Sequence, residues 1–191
     1  MKFVIRDLQG PDISKGLLET LRNLADVQLT LEQAGEVHRR RLRTGVRSYV
    51  AWSTQAGEVI GTVSLLIEQK FIHHGGMVAH IEDVSVRVGY EKMGVGTALV
   101  RHAKEQAQKI GCYKVILNCA EHLVPFYESL GFRRHVVQMR TDSCNSSSAE
   151  EKLECMPEAQ ARSHCQPSDA GNMNPVRAAD LGGVLPLATT H

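Results

Sequence analysis

The sequence predicts an α+β domain built on one central, mostly antiparallel sheet. Three observations predict it. The alternating runs RSYVAWST and VIGTVSLLIEQKF flank the polar turn QAGE and read as a β-hairpin. A further strand-like run, VAHIEDVSV, leads through a glycine loop into a segment with apolar residues at helical spacing. The whole order reads strand, helices, three antiparallel strands, helix, strand, helix, strand, which suits one mixed sheet flanked by helices.

Each element has its own signal. Phe3, Val4 and Ile5 open the first strand, and Gly10-Pro11 marks a turn. Ile13, Leu17, Leu18, Leu21 and Leu24 then recur at helical spacing. The stretch TLEQ is a capping box, with Thr30 at the N-cap and Gln33 three residues on, so a second helix starts there and ends near Gly45. Its basic run Arg39, Arg40, Arg41 and Arg43 reads as a solvated helix end complementing the macrodipole. Ala98, Leu99, Val100, Ala103, Ala107 and Ile110 give a helix from Thr97 to Ile110, stopped by Gly111. KVILN reads as a strand buried on both faces, LVPFYESLG as a short helix with Pro125 in its first turn, and FRRHVVQM as a last strand.

Composition narrows the function classes. The chain has 191 residues and a net charge of +1, so no global field points to nucleic acid or a membrane surface. No run of about 18 apolar residues occurs, and the N-terminus MKFVIRDLQG lacks the apolar core of a signal peptide, so a cytoplasmic protein is expected. Five cysteines at irregular spacing read as reduced thiols, with no zinc pattern among them. All nine aromatic residues fall between Phe3 and Phe132. Residues 141–191 hold seven acids, three bases and no aromatic, so they read as a disordered tail beyond a 1–140 domain.

The loop GYEKMGVGTAL carries the first chemistry. A strand, then Gly94-x-Gly96, then a helix presents unpaired amides and the positive end of a helix dipole to an anion. It is neither a P-loop, since no Gly-Lys-Ser/Thr follows, nor the dinucleotide fingerprint. By itself it is also compatible with a tight strand-to-helix turn.

Its neighbours sharpen the reading. Together IEQKFIH, GMVAHIEDVSV, YEKMGVGTAL, GCYKVILNC and PFYESLGF resemble the GNAT superfamily of acetyl-CoA-dependent N-acyltransferases. Within it they resemble the eukaryotic glucosamine-6-phosphate N-acetyltransferase family, over roughly residues 45 to 140. That resemblance implies the GNAT fold, with a splayed strand pair holding acetyl-CoA as co-substrate. It implies no metal. It implies acetyl transfer to the amine of glucosamine 6-phosphate, in a homodimer with shared active sites.

The resemblance also implies the site. Lys92, Met93, Gly94, Val95, Gly96 and Thr97 would hold the CoA diphosphate. Val84, Ser85 and Val86 would pair with the pantetheine arm, with the Val84 amide facing the thioester carbonyl. Tyr127 would donate to the leaving thiolate. Asn118 would orient the amine through its backbone carbonyl. Glu82 and Asp83 would line the sugar site, Glu82 next to the amine. Strand alternation puts those two on opposite faces, which excludes a close carboxylate pair. Lys70, His73, Tyr113 and Lys114 would line the sugar-phosphate site, Lys supplying point charge. Arg140 would reach the phosphate from the C-terminal strand crossing between subunits.

Three positions depart from the family pattern. Glu91 stands where Gln or Arg opens the loop, Leu123 where many members place Asn near CoA, and Asp142 where a base follows the last strand. They keep open two alternatives: transfer to another small amine, or a non-catalytic CoA-binding module. Lys70 and Lys114 alone also read as ordinary solvated lysines.

Overall fold

The computed structural model describes residues 2–141, so the tail expected beyond them and Asp142 lie outside the described residues. Met1–Gln138 form one compact unit. Its strands are β1 (Phe3–Asp7), β2 (Arg47–Ser53), β3 (Glu58–Gln69), β4 (Met77–Val86) and β5 (Cys112–Leu117). Its helices are α1 (Leu17–Leu21), α2 (Leu31–Arg43), α3 (Val95–Ile110) and α4 (Val124–Glu128), with 3-10 turns at Gly10–Ser14 and Glu121–Leu123 and a single turn at Ile72–Gly75 in which His73 and His74 are left-handed. The sheet order is β1-β2-β3-β4-β5. The pairs are antiparallel except β4 with β5, which run parallel through the α3 crossover.

The sheet is covered on both faces, and strand alternation divides its residues between two cores. Tyr49, Ala51, Ile60, Val63, Leu65, Ala79 and Ile81 pack with Val95, Leu99, Val100, Ala103 and Ala107 of α3. Val50 and Val59 pack the other way, with Ile13, Leu17, Leu18 and Ala34. Gly61 lets α3 settle onto β3: a Cβ there would lie 2.7 Å from Val95 Cγ1 and 2.8 Å from Leu99 Cδ1.

Several expectations change in detail. The helical pattern after Asp12 is split at Gly16, whose φ of 95° and contact with β3 suit glycine: a Cβ would meet the Val59 carbonyl oxygen at 2.9 Å. Val59 N–H donates to the Lys15 carbonyl at 2.8 Å, and Thr20 Oγ1 donates to the Val59 carbonyl at 3.1 Å, which fastens the break to the sheet. Just before it, Arg6 donates to Asp12 through Nη1 at 2.6 Å and Nη2 at 2.7 Å, and the Gln9 N–H adds a bond of 2.8 Å.

The strand expected to be buried on both faces is instead the edge strand β5, partly exposed along its length. The strand with both faces covered is β3, buried continuously from Val59 to Leu65. FRRHVVQM is not a strand either. It carries no ladder, and Val136, Val137 and Met139 are largely exposed. A strand exists only where a neighbour accepts its backbone bonds, and β-type residues do not substitute for one. The Thr30 capping box forms as read, with Gln33 N–H on Thr30 Oγ1 and Gln33 Oε1 on Thr30 N–H.

Candidate active site

The strand pair β4–β5 defines the site. Its parallel ladder runs from Met77↔Cys112 to Ile81↔Leu117 and ends there, while β4 continues to Val86. Among the described residues the Val84–Val86 end of β4 therefore has no ladder with β5, and a gap opens between the strands; the Val86 carbonyl accepts instead from Asn23 Nδ2 at 2.7 Å. Across β4's other edge the ladder slips. Thr62 faces Ser85 and Ser64 faces Glu82, so Asp83 and Val84 together oppose Val63. This is a β-bulge, and Asp83 adopts a left-handed φ of 52° in it. The simple alternation read for Glu82 and Asp83 breaks at this residue.

The glycine loop closes one end of the gap. Gly94 takes a left-handed φ of 80° at the N-cap of α3, with open space where a Cβ would stand. The first amide of α3 to bond backward is Ala98, to the Gly94 carbonyl at 3.0 Å. The amides of Val95, Gly96 and Thr97 precede it and form the unpaired donor end of the helix. Gly96 lies between strand and helix: a Cβ on it would stand 3.5 Å from Val86 Cγ2 and 3.7 Å from Phe126 Cζ. Loop, β4 end and α4 thus meet at one place. Lys92 is left-handed at φ 59° and, with Met93, is exposed. Glu91 folds back: its carboxylate accepts the Gly89 N–H at 2.6 Å.

Tyr127 is buried in α4 at 8% exposure, edge-on to Phe126 (5.0 Å) and Phe132 (5.9 Å). Burial, and then the neighbouring Cys119 thiol, push its phenol up from the ordinary value of 10.0. Asn118 and Cys119 follow β5 directly, exposed at its C-terminal end.

The residues read as sugar-phosphate ligands fall into two groups. Glu82 and Asp83 sit at the bulge. Lys70, His73, Tyr113 and Lys114 gather at the opposite end of β4. The His73 and Tyr113 rings lie 4.8 Å apart, and Lys114 Nζ stands 5.6 Å from the Tyr113 ring centre. Lys70 is ion-paired to Glu68, which also bonds His80 Nε2 at 3.0 Å. Lys114 pairs in register with Val78, six residues before Val84. Glu82 and Asp83 themselves lie four and five residues beyond Val78, so at about 3.3 Å per strand residue the two groups stand roughly 13–17 Å apart within one chain. Arg140 falls in the separate unit Met139–His191.

The arginine run at the end of α2 divides. Arg39, Arg40 and Arg43 are exposed around Glu36, as expected. Arg41 instead turns onto the bulge, 3.4 Å from Asp83 Oδ2. Sequence reading missed this residue, because four near-adjacent arginines carry no mark of which one the helix points inward.

Among the described residues, no His, Cys, Asp and Glu group is placed to hold a metal ion, and no helix is long and apolar enough to cross a membrane.

The model of the acetyltransferase (GNAT) family matches residues 17–132. A glucosamine 6-phosphate N-acetyltransferase of Trypanosoma brucei brucei is 40% identical over 139 residues, which cover 72% of this chain and 94% of the relative. A crystal structure of a Trypanosoma brucei acetyltransferase superposes with a TM-score of 0.70 at 38% identity, covering 74% of this chain and all of the other. The glucosamine-6-phosphate N-acetyltransferase of Arabidopsis thaliana superposes with a TM-score of 0.70 at 30% identity, covering 74% of this chain and 99% of the other.

Proposed function

Because the chain belongs to the acetyltransferase (GNAT) family, whose members use acetyl-CoA, we propose that it transfers the acetyl group to the amine of glucosamine 6-phosphate, releasing N-acetylglucosamine 6-phosphate and CoA. The observation that carries the reading is the meeting of three features at one gap: the Val84–Val86 end of β4 beyond its ladder with β5, the donor end of α3 behind Gly94, and buried Tyr127. An extended arm adds to an open strand edge by backbone bonding, and a diphosphate suits helix N-terminal amides. The sugar-phosphate part rests on the relatives' activity.

In this reading the amine attacks the thioester carbonyl, and negative charge gathers on its oxygen. The Val84 amide donates to that oxygen. The Asn118 carbonyl and the Glu82 carboxylate orient the attacking nitrogen, whose proton passes to solvent, from which the Tyr127 phenolate is later reprotonated. The carbon–sulfur bond then breaks, and Tyr127 supplies a proton to the sulfur. A phenol held protonated by burial is suited to donate, and a low-dielectric setting strengthens the donation. Lys92, Met93, Gly94, Val95, Gly96 and Thr97 hold the diphosphate, while Ser85 and Val86 extend the strand contact.

The sugar phosphate needs both ligand groups, and one chain holds them roughly 13–17 Å apart along β4. That separation supports the proposal of a homodimer with shared active sites. Glu82 and Asp83 of one subunit face Lys70, His73, Tyr113 and Lys114 of the other, and Arg140 is offered across the same interface. Exposed Phe71, Ile72, Val136 and Val137 supply apolar surface for such an interface. The working compartment proposed is the cytoplasm.

The test is thiol release from acetyl-CoA with a panel of amino sugars, each with and without a 6-phosphate. Turnover confined to glucosamine 6-phosphate supports the proposal. Equal turnover of unphosphorylated amines overturns the substrate, and acetyl-CoA binding without turnover overturns the enzyme.

A further inference from the structure

Arg41 is set apart from its neighbours on α2. Its side chain is 32% exposed, against 62%, 67% and 68% for Arg39, Arg40 and Arg43. Its Nη1 and Nη2 both stand 3.4 Å from Asp83 Oδ2. Nη2 also donates to Ser64 Oγ, and to Ser48 Oγ at 3.4 Å. Ser64 Oγ in turn donates to the same Asp83 oxygen at 3.1 Å. One guanidinium thus ties α2, β2, β3 and the β4 bulge together.

What it ties is the residue with the costly backbone. Asp83 is left-handed at φ 52°, a conformation that needs local support in a non-glycine residue. The peptide that follows Asp83 carries the Val84 amide, and the Asp83 backbone angles set where that amide points. A bulge is a means of re-aiming a group from a strand. Its aim here depends on Asp83 keeping its side chain turned toward Ser64 and Arg41.

We propose that Arg41 is a positioning residue for acyl transfer, which holds the Asp83 carboxylate and thereby keeps the Val84 amide directed into the gap between β4 and β5. The proposal rests on the acetyltransferase reading above. Arg41 touches no reacting atom and acts only through Asp83. Ser64 supports the carboxylate from within the sheet, and Arg41 supplies the charge and the link to α2.

The test compares Arg41→Met, which keeps an apolar stem, with Arg41→Lys, which keeps the charge. In Arg41→Met, kcat is expected to fall about tenfold, with acetyl-CoA KM changed by less than twofold, because the misdirected amide fails mainly as charge develops on the oxygen. Arg41→Lys restores kcat to within about threefold of the parent. Without any substrate, hydrogen exchange at the amides of residues 83–85 speeds about tenfold in Arg41→Met, while the β1–β2 amides keep their parent rates. Unchanged exchange at 83–85 overturns the proposal. So does faster exchange with kcat unchanged, which reduces Arg41 to a structural tie. If the parent protein transfers no acetyl group, the acetyltransferase reading fails, and the exchange comparison still decides whether Arg41 holds the bulge.

Discussion

Glu91 accepts the Gly89 N–H at 2.6 Å, so the acid that opens the glycine loop serves the turn before it. Gly89 is left-handed at φ 90° and the carboxylate bridges two residues, a local side-chain-to-backbone bond that shapes the turn. Glu91→Gln keeps an acceptor for Gly89 and removes the charge beside the proposed diphosphate site. Acetyl-CoA should bind two- to fivefold more tightly, with the gain shrinking as salt rises. Glu91→Ala removes the turn bond as well and should show no gain. Calorimetric titration with acetyl-CoA checks both, and unchanged or weaker binding by the glutamine variant contradicts the charge argument.

Tyr127 makes a pH-dependent prediction. Its phenol is raised above 10.0 by burial and by Cys119, so it stays protonated across the range in which an ordinary tyrosine begins to ionise. The sign is that of an acid whose neutral form the fold favours. Its contribution is full below the unfolded value and is lost only as pH rises through the folded one. The alkaline limb that Tyr127 sets in the rate profile should therefore lie above the range in which an ordinary tyrosine ionises. Tyr127→Phe should lower kcat about a hundredfold with a smaller change in KM, read by thiol release.

Two glycines should fail in different ways. Gly61→Ala puts a Cβ 2.7 Å from Val95 Cγ1 and 2.8 Å from Leu99 Cδ1, so α3 must shift. Stability should drop by about 1–3 kcal/mol in denaturant unfolding. Gly94→Ala meets nothing within 4 Å but must hold φ 80°. Its cost is about 1 kcal/mol of backbone strain at the mouth of α3, expected mainly as weaker acetyl-CoA binding.

Asp12 governs acid stability at the start of the chain. Burial pushes its carboxyl up, but the Arg6 hydrogen bonds, the Gln9 amide and the charges of Arg6 and Lys15 outweigh this and hold it below 3.8. Its stabilisation is thus present above pH ~4 and is lost as pH falls from 3.8 through the folded value. Asp12→Asn should cost about 2 kcal/mol at neutral pH, the scale of a hydrogen bond to a charged group. Thermal unfolding should show this gap between variant and parent narrowing as the pH falls below 4.

Elements whose cause is local were legible before the fold was known. The Thr30 capping box uses groups three residues apart, the Val95–Ile110 helix shows its buried face in its own spacing, and the β2–β3 hairpin is bounded by its own turn. The family resemblance pointed to one gap through the glycine loop, Val84–Val86 and Tyr127, because those short motifs lie close to the elements that carry them. Elements whose cause is a distant partner were not legible. Residues 132–139 have strand composition but no ladder, and β5 has core composition but an edge position.

The sequence by itself determined the class of fold, the α3 entry loop and the residue types at the gap, since propensity, capping and periodicity act over a few neighbouring positions. Only the tertiary structure decided which of four arginines turns inward, where alternation breaks at Asp83, and that Lys70, His73, Tyr113 and Lys114 stand far from the bulge in one chain. Those facts depend on strand order, register and helix placement, which bring together groups such as Arg41 and Asp83 across 42 positions of chain.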